Sequence, residues 1–215
     1  MSISALILAA GSGSRMNLGY NKMLYKIDGD YLINKTLKVF IDNPNIDEIV
    51  VTVNEDELNT MNDILLKDNR IKLVIGDIER YKSVYNGLQA ITKDYVLIHD
   101  GARCFLSNDL LDKIIQATIK HDAAFLGVVS KDTIHIINEN HLVYETTQRS
   151  SMIIAQTPQG FKSDLIKDAY TKLYQATNDS ITDDVSVALL YGDTKSYYVE
   201  SSYSNLKVTT IEDIK

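Results

Sequence analysis

The first residues whose types and spacing could do chemistry lie directly after a short apolar run near the amino terminus. The stretch LAAGSGSRM, residues 8–16, places Gly11 and Gly13 two positions apart and Arg15 two positions later. Glycines let the backbone approach phosphate oxygens closely, so that successive N–H groups can point at an anion. By themselves the two glycines would suit a flexible turn without a ligand almost as well. Arg15 can bind phosphate oxygens through its guanidinium, and Lys22 adds a second cation, so the stretch favours a triphosphate site.

Two common phosphate-binding patterns do not fit this stretch. Counted from Gly11, both the dinucleotide fingerprint and the P-loop require a glycine at position 16, but residue 16 is methionine. A methionine side chain would block the close helix packing that the third glycine permits. The sequence therefore predicts another kind of phosphate-binding loop and disfavours a nicotinamide-dependent dehydrogenase.

The elements that must position this loop alternate along the chain between apolar runs typical of buried strands and stretches with helical spacing. Strands separated by helices give a mostly parallel sheet with helices on both faces, and the first loop then lies at the carboxyl edge, where such sheets bind ligands. The predicted strands are ISALILAA, DEIVVTV, IKLVIG, YVLIHD, AAFLGVV and KSYYVES. The predicted helices are YLINKTLKVFID, EDELNTMNDILL, ERYKSVYNGLQAI, NDLLDKIIQATIK capped by Ser107, one from about Ser163, and one capped by Thr182 and ended by Gly192.

The alternation breaks after residue 130. The stretch DTIHIINENHLVYETT has alternating apolar residues on both sides of Asn-Glu-Asn, which predicts a β-hairpin with little to pack against. Two arrangements stay open: a protruding arm over about 132–150 that embraces a second subunit, and a surface hairpin folded back on its own domain. The sequence contains no repeat, low-complexity tract or linker, so we expect one α/β domain over residues 1–215.

Composition argues against several classes of function. The chain has 215 residues and a net charge of −7, which disfavours a protein that coats nucleic acid but leaves room for a small anionic ligand. The single cysteine, Cys104, cannot form an internal disulfide. The first apolar run lacks a basic leader, and no run approaches the roughly 20 apolar residues of a membrane helix. We therefore expect a cytoplasmic protein without nucleic-acid or membrane partners.

Five stretches, taken in order, resemble sugar-phosphate nucleotidyltransferases and, within them, the 2-C-methyl-D-erythritol 4-phosphate cytidylyltransferase family. They are LAAGSGSRM with NKML, then GDIERYKS, HDGAR, AQTPQGF and NLKVTTIEDI, and they span almost the whole chain. The resemblance implies a Rossmann-like nucleotidyltransferase domain that transfers CMP from CTP to methylerythritol phosphate and releases pyrophosphate, a step in isoprenoid precursor synthesis. It also implies Mg²⁺ as cofactor and a homodimer in which the hairpin arm reaches into the neighbour's site.

Two alternatives remain. Ribitol-5-phosphate cytidylyltransferases, which make CDP-ribitol for cell-wall polymers, carry nearly the same motifs, since both acceptors are polyol phosphates. The stretches HDGAR and QTPQGF favour methylerythritol phosphate. A non-catalytic, CTP-binding regulatory protein is disfavoured, because it should have lost Lys22, Arg149 or Lys207, and all three are present.

The resemblance assigns roles to the residues at matching positions. Arg15 and Lys22 would stabilise the transition state, and Arg149 with Lys207 would hold the acceptor phosphate. Asp100 is the candidate metal ligand, beside an Mg²⁺ held mainly by the CTP phosphates. Contacts to nucleotide or acceptor are implied for Ala9, Ala10, Gly11, Ser12, Gly13, Gly76, Arg80, Ser83, Asp100, Gly101, Arg103, Thr133 and Thr157.

Some of these positions also have a purely structural interpretation. Arg80 could form a salt bridge at a helix start, and Asp100 could cap a helix or pair with Arg103. His99 should point to the sheet face opposite Asp100 and is expected to be structural. The chain departs from the family pattern at three places: Asn21 in place of proline, Asp77 in place of a second glycine, and Gly101 with Cys104 in the HDGAR segment. We expect the departures at 21, 101 and 104 to loosen the backbone.

Overall fold

A computed structural model describes residues 1–11, 16, 19–176 and 181–214. Predicted site residues Ser12, Gly13 and Arg15 therefore lie outside the described residues. The strands are β1 (Ile3–Leu8), β2 (Lys26–Ile27), β3 (Asp30–Tyr31), β4 (Glu48–Val53), β5 (Ile71–Ile75), β6 (Tyr95–Asp100), β7 (Ala123–Val129), β8 (His135–Ile137), β9 (Val143–Thr146), β10 (Ile153–Lys162) and β11 (Tyr197–Glu200). The helices are α1 (Leu32–Ile41), α2 (Leu58–Ile64), α3 (Arg80–Ala90), α4 (Asn108–His121), α5 (Ser163–Ala176) and α6 (Asp184–Gly192).

A seven-stranded sheet, ordered β11-β7-β10-β6-β1-β4-β5, organises the described residues. β1 pairs in parallel with β4 and β6, β4 with β5, and β7 with β11. The chain runs outward from β1 through β4 to β5 and then returns to the other side of β1 with β6. The predicted α/β fold with a mostly parallel sheet is thereby confirmed.

Strand β10 was not predicted, and among the described residues it is the one antiparallel member of this sheet. It lies between β6 and β7 and pairs antiparallel with both, for example Gln159 with Ile98 and Ile153 with Val129. Its sequence, IIAQTPQGFK, mixes polar residues, a proline and a glycine and so lacks the pattern of a buried strand. The register shifts between Ala155 and Gln159, which accommodates a proline that has no N–H to donate to the sheet.

Helices cover both faces of the sheet, because alternate side chains along each buried strand point in opposite directions. In β1, Ala5 and Ile7 belong to the hydrophobic cluster that packs against α1, α2 and α4. Leu6 belongs to the cluster on the other face, which packs against α3, α5 and α6. The sheet is thus buried from both sides. The organisation of the chain as a single domain stays a prediction.

The ends of two helices test the capping predictions. Ser107 caps α4 as predicted, since its side chain accepts a hydrogen bond from the backbone N–H of Leu110. The cap of α6 is Asp183 rather than Thr182, because the Asp183 carboxylate accepts the N–H of Ser186. That helix does not end on a left-handed glycine: Gly192 is its last residue and Asp193 takes the left-handed conformation, at φ 47°.

The predicted hairpin is present as β8 and β9, which form a separate two-stranded sheet. Every residue from 131 to 146 is exposed, including five large apolar side chains of the hairpin. These are Ile136, Ile137, Leu142, Val143 and Tyr144. Its action as an arm between subunits stays a prediction. None of the α-helices in the described part of the chain has both the length and the apolar character needed to span a membrane.

Glu48, a buried carboxylate, ties together four segments of the sheet. It is almost inaccessible to solvent and accepts hydrogen bonds from the Ser4 hydroxyl at 2.6 Å and from the backbone N–H and hydroxyl of Thr92, both at 2.9 Å. Lys72 donates to it at 2.7 Å. Burial by itself would raise the pKa of Glu48, but these bonds outweigh burial and lower its pKa to about 2.

We predict that Glu48→Gln lowers the free energy of unfolding at pH 7 by roughly 3 kcal/mol, because the variant loses a buried, hydrogen-bonded carboxylate whose lowered pKa corresponds to about that free energy. Since folding depresses the pKa from 4.5 to about 2, the contribution of Glu48 is fully present above pH 4.5 and lost as pH falls towards 2. The difference between the two proteins should therefore shrink across that range in urea titrations. A difference that stays constant from pH 5 to pH 3 would contradict the assignment.

Candidate active site

A cavity of about 250 Å³ opens at the carboxyl ends of β1 and β6. The sheet order reverses between these two strands, and an open α/β sheet offers its ligand crevice at such a point. The cavity brings together nine of the predicted site residues: Ala9, Ala10, Gly11, Lys22, Arg80, Ser83, Asp100, Gly101 and Lys207. It is also lined by residues that the sequence did not single out as site residues: Leu8, Met23, Asp77, Ile78, Ala102 and Thr209.

One wall of the cavity is a close contact between the loops after β1 and β5. A Cβ added to Gly76 would lie 2.5 Å from the Cβ of Ala10 and 2.9 Å from Ser83 Oγ, so only glycine fits there. The Ser83 hydroxyl accepts the N–H of Asp77 and donates to its carbonyl, both at 2.8 Å. Ser83 thus shapes the loop at 76–77 and brings its main chain to the edge of the cavity.

The Asp100 carboxylate is the electrostatic centre of the site. Its Oδ2 lies 2.9 Å from Lys207 Nζ and 3.6 Å from Arg103 Nε, and its Oδ1 lies 3.5 Å from Arg80 Nε. Burial alone would raise the pKa of Asp100, but the charges of Arg80, Lys207 and Arg103 hold it well below its usual range. Asp100 is therefore ionised. It lines the cavity and also forms the ion pair with Arg103 that its structural interpretation predicts.

Two departures from the family pattern are fixed parts of the site, contrary to the expectation that they loosen the backbone. Asn21 caps the short 3₁₀ helix Lys22–Leu24 and donates to the carbonyl of Ala9 at 3.2 Å and to the Glu57 carboxylate at 2.5 Å. Gly101 packs so closely that an added Cβ would lie 2.8 Å from the Leu8 carbonyl oxygen. Each contact holds a cavity segment against the end of β1.

The two lysines are brought together by main-chain contacts. The Lys22 side chain is largely buried and Nζ donates to the carbonyl of Val208 at 2.9 Å. The backbone N–H of Val208 donates to the carbonyl of Ala102 at 2.8 Å. Asn205 fixes the same segment, because it donates to the carbonyl of Thr157 at 3.0 Å. The segment that carries Lys207 is thus bound directly to the loop after β6.

Arg80 forms the salt bridge that its structural interpretation anticipates, and it also lines the cavity. Its two terminal nitrogens donate to the two carboxylate oxygens of Asp184 at 2.9 and 2.8 Å. Burial would lower the pKa of Arg80, but Asp184 and then Asp100 raise it well above its usual value. No signal in the sequence indicated that Asp184 would be the partner of Arg80.

The predicted contact between Thr157 and a substrate requires a correction, because the Thr157 hydroxyl forms hydrogen bonds within the protein. It is 4% exposed, accepts the backbone N–H of Asp100 at 3.0 Å and lies 3.1 Å from His99 Nδ1. His99 Nε2 lies 3.1 Å from the carbonyl of Arg103, which can only accept, so Nε2 carries the proton and Nδ1 accepts from Thr157. Burial lowers the pKa of His99 to about 4, so the ring is neutral and structural, as expected.

Thr133 and Arg149 do not line the cavity. Both are exposed, and Arg149 Nη1 donates at 3.4 Å to the carbonyl of Lys131 at the base of the hairpin. The predicted clamp of Arg149 and Lys207 on one phosphate is therefore not assembled within a single chain. Arg103 also stays outside the cavity lining, but it contacts Asp100 and donates to the carbonyl of Asn205 at 2.8 Å.

The described residues place no three His, Cys, Asp or Glu side chains close enough together to hold a metal ion. Among the described lining residues, Asp100 alone offers this cavity a buried, ionised carboxylate, the hard oxygen ligand that Mg²⁺ prefers. This chemistry fits a divalent cation such as Mg²⁺ that takes most of its ligands from outside the protein.

The chain matches a known family over nearly its full length. The sequence profile of the IspD family, described as 2-C-methyl-D-erythritol 4-phosphate cytidylyltransferase, matches residues 3–215. A relative of that name from Clostridium botulinum, strain Langeland, is 42% identical over 217 residues, covering 98% of this chain and 93% of the relative.

Solved structures support the same relationship. The 4-diphosphocytidyl-2C-methyl-D-erythritol synthase of Anaerococcus prevotii is similar with a TM-score of 0.88 and 36% identity, covering 99% of this chain and 94% of that one. The Francisella tularensis 2-C-methyl-D-erythritol 4-phosphate cytidylyltransferase gives 0.84 and 30%, covering 100% and 97%. With the cavity at the switch point and the five motifs in order, these matches show that the chain belongs to the 2-C-methyl-D-erythritol 4-phosphate cytidylyltransferase family.

Proposed function

We propose that this chain transfers CMP from CTP to 2-C-methyl-D-erythritol 4-phosphate and releases pyrophosphate. The observation that carries the proposal is the convergence of Lys22, Lys207 and the Asp100 carboxylate on one cavity beside the loop that starts at Ala9. Relatives 40% and 42% identical to this chain are named for this activity, which supports methylerythritol phosphate as the acceptor.

The reaction joins two polyanions, so repulsion is its main physical obstacle. An oxygen of the acceptor phosphate attacks the α-phosphorus of CTP, the bond from that phosphorus to the bridging oxygen breaks, and pyrophosphate leaves with the electron pair. No covalent enzyme intermediate is needed, and catalysis consists of positioning and charge neutralisation. Lys22 and Lys207 supply positive charge at the cavity, and we assign Arg15 the same task from its position in the sequence motif.

We propose Mg²⁺ as the cofactor. When bound, it would neutralise charge on the CTP phosphates, with Asp100 as the protein ligand closest to it. Asp100 already lies 2.9 Å from Lys207 Nζ, so the protein holds this carboxylate in place and ionised before nucleotide arrives.

We assign the base to the wall formed by Ala10, Gly76 and Ser83. Because Gly76 lies too close to Ala10 for a side chain, this edge of the wall is main chain. Main-chain N–H and carbonyl groups can read the edge of cytosine. Ser83 contributes by holding the loop at 76–77 through its two bonds to Asp77.

We propose a homodimer in which the hairpin of one subunit completes the site of the other. An isolated two-stranded hairpin is marginally stable in water, yet here it exposes a run of large apolar side chains, with Tyr144 76% exposed. Arg149 and Thr133 at its base lie outside their own chain's cavity. A second subunit would bury the apolar hairpin and receive Arg149 at its acceptor site.

The acceptor is tested by measuring Mg²⁺-dependent pyrophosphate release from CTP with methylerythritol phosphate and, in parallel, with ribitol 5-phosphate. We expect a higher kcat/KM with methylerythritol phosphate. A higher value with ribitol 5-phosphate would transfer the assignment to CDP-ribitol synthesis. Binding of CTP without turnover of either acceptor would instead indicate a regulatory protein.

Asn21→Ala should reduce kcat on the order of 10–100-fold, because a small misplacement of a catalytic group is enough for such a loss. The change removes the cap and the bonds that hold Lys22 beside the end of β1. Stability should fall by only about 1 kcal/mol, the usual cost of losing an N-cap. Asn54→Ala is the matched control, since Asn54 caps the similar 3₁₀ helix Glu55–Glu57 outside the cavity. Equal kcat losses in the two variants would contradict a specific role for Asn21.

Subunit complementation tests the homodimer. Arg149→Met and Lys207→Met should each abolish most activity as pure proteins. If Arg149 serves the partner's site, each mixed dimer keeps one site with both residues, and random mixing restores about a quarter of wild-type activity in a twofold dimer. If Arg149 serves its own chain, no mixed site has both residues, and mixing restores nothing.

A further inference from the structure

Arg80 lies between two buried carboxylates that belong to different layers of the structure. Asp184, at the start of α6, binds both terminal nitrogens of the guanidinium at 2.9 and 2.8 Å. Asp100, at the carboxyl end of β6, faces the remaining nitrogen, with 3.5 Å between Arg80 Nε and Oδ1. Asp184 therefore sets the orientation of the guanidinium. It thereby also determines that Nε is the nitrogen that faces Asp100 and the cavity.

Asp184 is itself held firmly. It is fully buried, and its Oδ1 accepts a hydrogen bond from the Tyr170 hydroxyl as well as from Arg80. Its backbone N–H donates to Gln159 Oε1 at 2.9 Å, and that of Val185 donates to the same oxygen at 3.0 Å. Strand β10 and helix α5 thus fix the carboxylate that in turn fixes Arg80.

The two carboxylate oxygens of Asp100 have different partners, and this affects the cavity. Arg80 approaches Oδ1, whereas Lys207 approaches Oδ2 at 2.9 Å. A guanidinium released from Asp184 would be free to bind both oxygens of Asp100 in the bidentate way that arginine favours with carboxylates. It would then compete with Lys207 and occupy space that the cavity offers to a nucleotide.

We infer, on the basis of the proposed function, that Asp184 is a positioning residue for CTP binding. From the start of α6 it holds Arg80 on one oxygen of Asp100, which leaves the other oxygen to Lys207 and keeps the cavity open. Asp184 does not line the cavity, so it acts through Arg80.

Asp184→Asn tests this inference. The amide keeps the shape and one acceptor oxygen but turns an N–H towards Arg80, which breaks the paired hydrogen bonds. The KM for CTP and its calorimetric Kd should both rise about tenfold or more, as expected for losing a charge-assisted hydrogen bond, while the KM for the acceptor stays unchanged. Removing a negative charge near a triphosphate would by itself strengthen CTP binding, so weaker binding requires loss of geometry.

Two further variants separate positioning from simple stability. Asp183→Asn removes the neighbouring carboxylate, which caps α6 and contacts Gln159 but not Arg80, and should leave CTP affinity within about twofold while lowering the unfolding midpoint. The double variant Arg80→Gln with Asp184→Asn removes the pair together. It should recover the unfolding midpoint, because no buried charge is left unpaired, but not the affinity for CTP.

Recovery of both stability and CTP affinity in the double variant would overturn the inference, since Asp184 would then serve the fold alone. Unchanged or tighter CTP binding by Asp184→Asn would overturn it as well. Failure of the wild-type protein to release pyrophosphate would count against the proposed function only, because CTP calorimetry on these variants does not depend on turnover.

Discussion

The site depends on one constraint: a carboxylate, Asp100, is buried at the end of β6 and must remain charged. Burying a charge costs several kcal/mol unless partners compensate it. Here the compensation comes from Arg80 on α3, Arg103 after β6 and Lys207 near the end of the chain. Arg80 and Lys207 come from segments far from Asp100 in the sequence, so satisfying one buried charge brings distant parts of the chain to the same cavity. The positive charge that a triphosphate needs is thus assembled by the requirement to neutralise Asp100.

The contacts that support Asp100 continue from the cavity to α6 and β10. Arg80 is shared between Asp100 on the cavity side and Asp184 on α6, and the hydrogen bonds of Asp184 lead on to β10 through Gln159. The antiparallel strand β10 also carries Thr157, whose hydroxyl accepts the N–H of Asp100. A strand that interrupts the parallel pattern therefore supports the site, which gives a physical reason for its place beside β6.

Much of this organisation could be predicted from the sequence, because apolar periodicity is local and strong in β1, β4 and α4. The resemblance to a family also placed Lys22 and Lys207 at the site, although nothing in their own neighbourhoods marks them. Strand β10 could not be predicted from local pattern, since its polar residues are matched by partners on distant strands. Asp184 was missed for a similar reason: an acidic residue at a helix start has an ordinary local explanation, and only the fold reveals Arg80 opposite it. For Asn21 the sequence predicted a loosened backbone where the structure has a fixed one. The hydrogen bonds that compensate for the missing proline are not visible in a comparison of motifs.

The placement of Lys207 affects the order in which the site can form during folding. The segment around this lysine docks through the bonds from Arg103 to Asn205 and from Val208 to Ala102, so it needs the central strands already in place. Arg103 and Asn205 are 102 positions apart in the sequence, and closing such a long loop costs conformational entropy before the contact between Lys207 and Asp100 at 2.9 Å can form. The cavity therefore gains this lysine only once long-range contacts exist, which makes it a late product of folding.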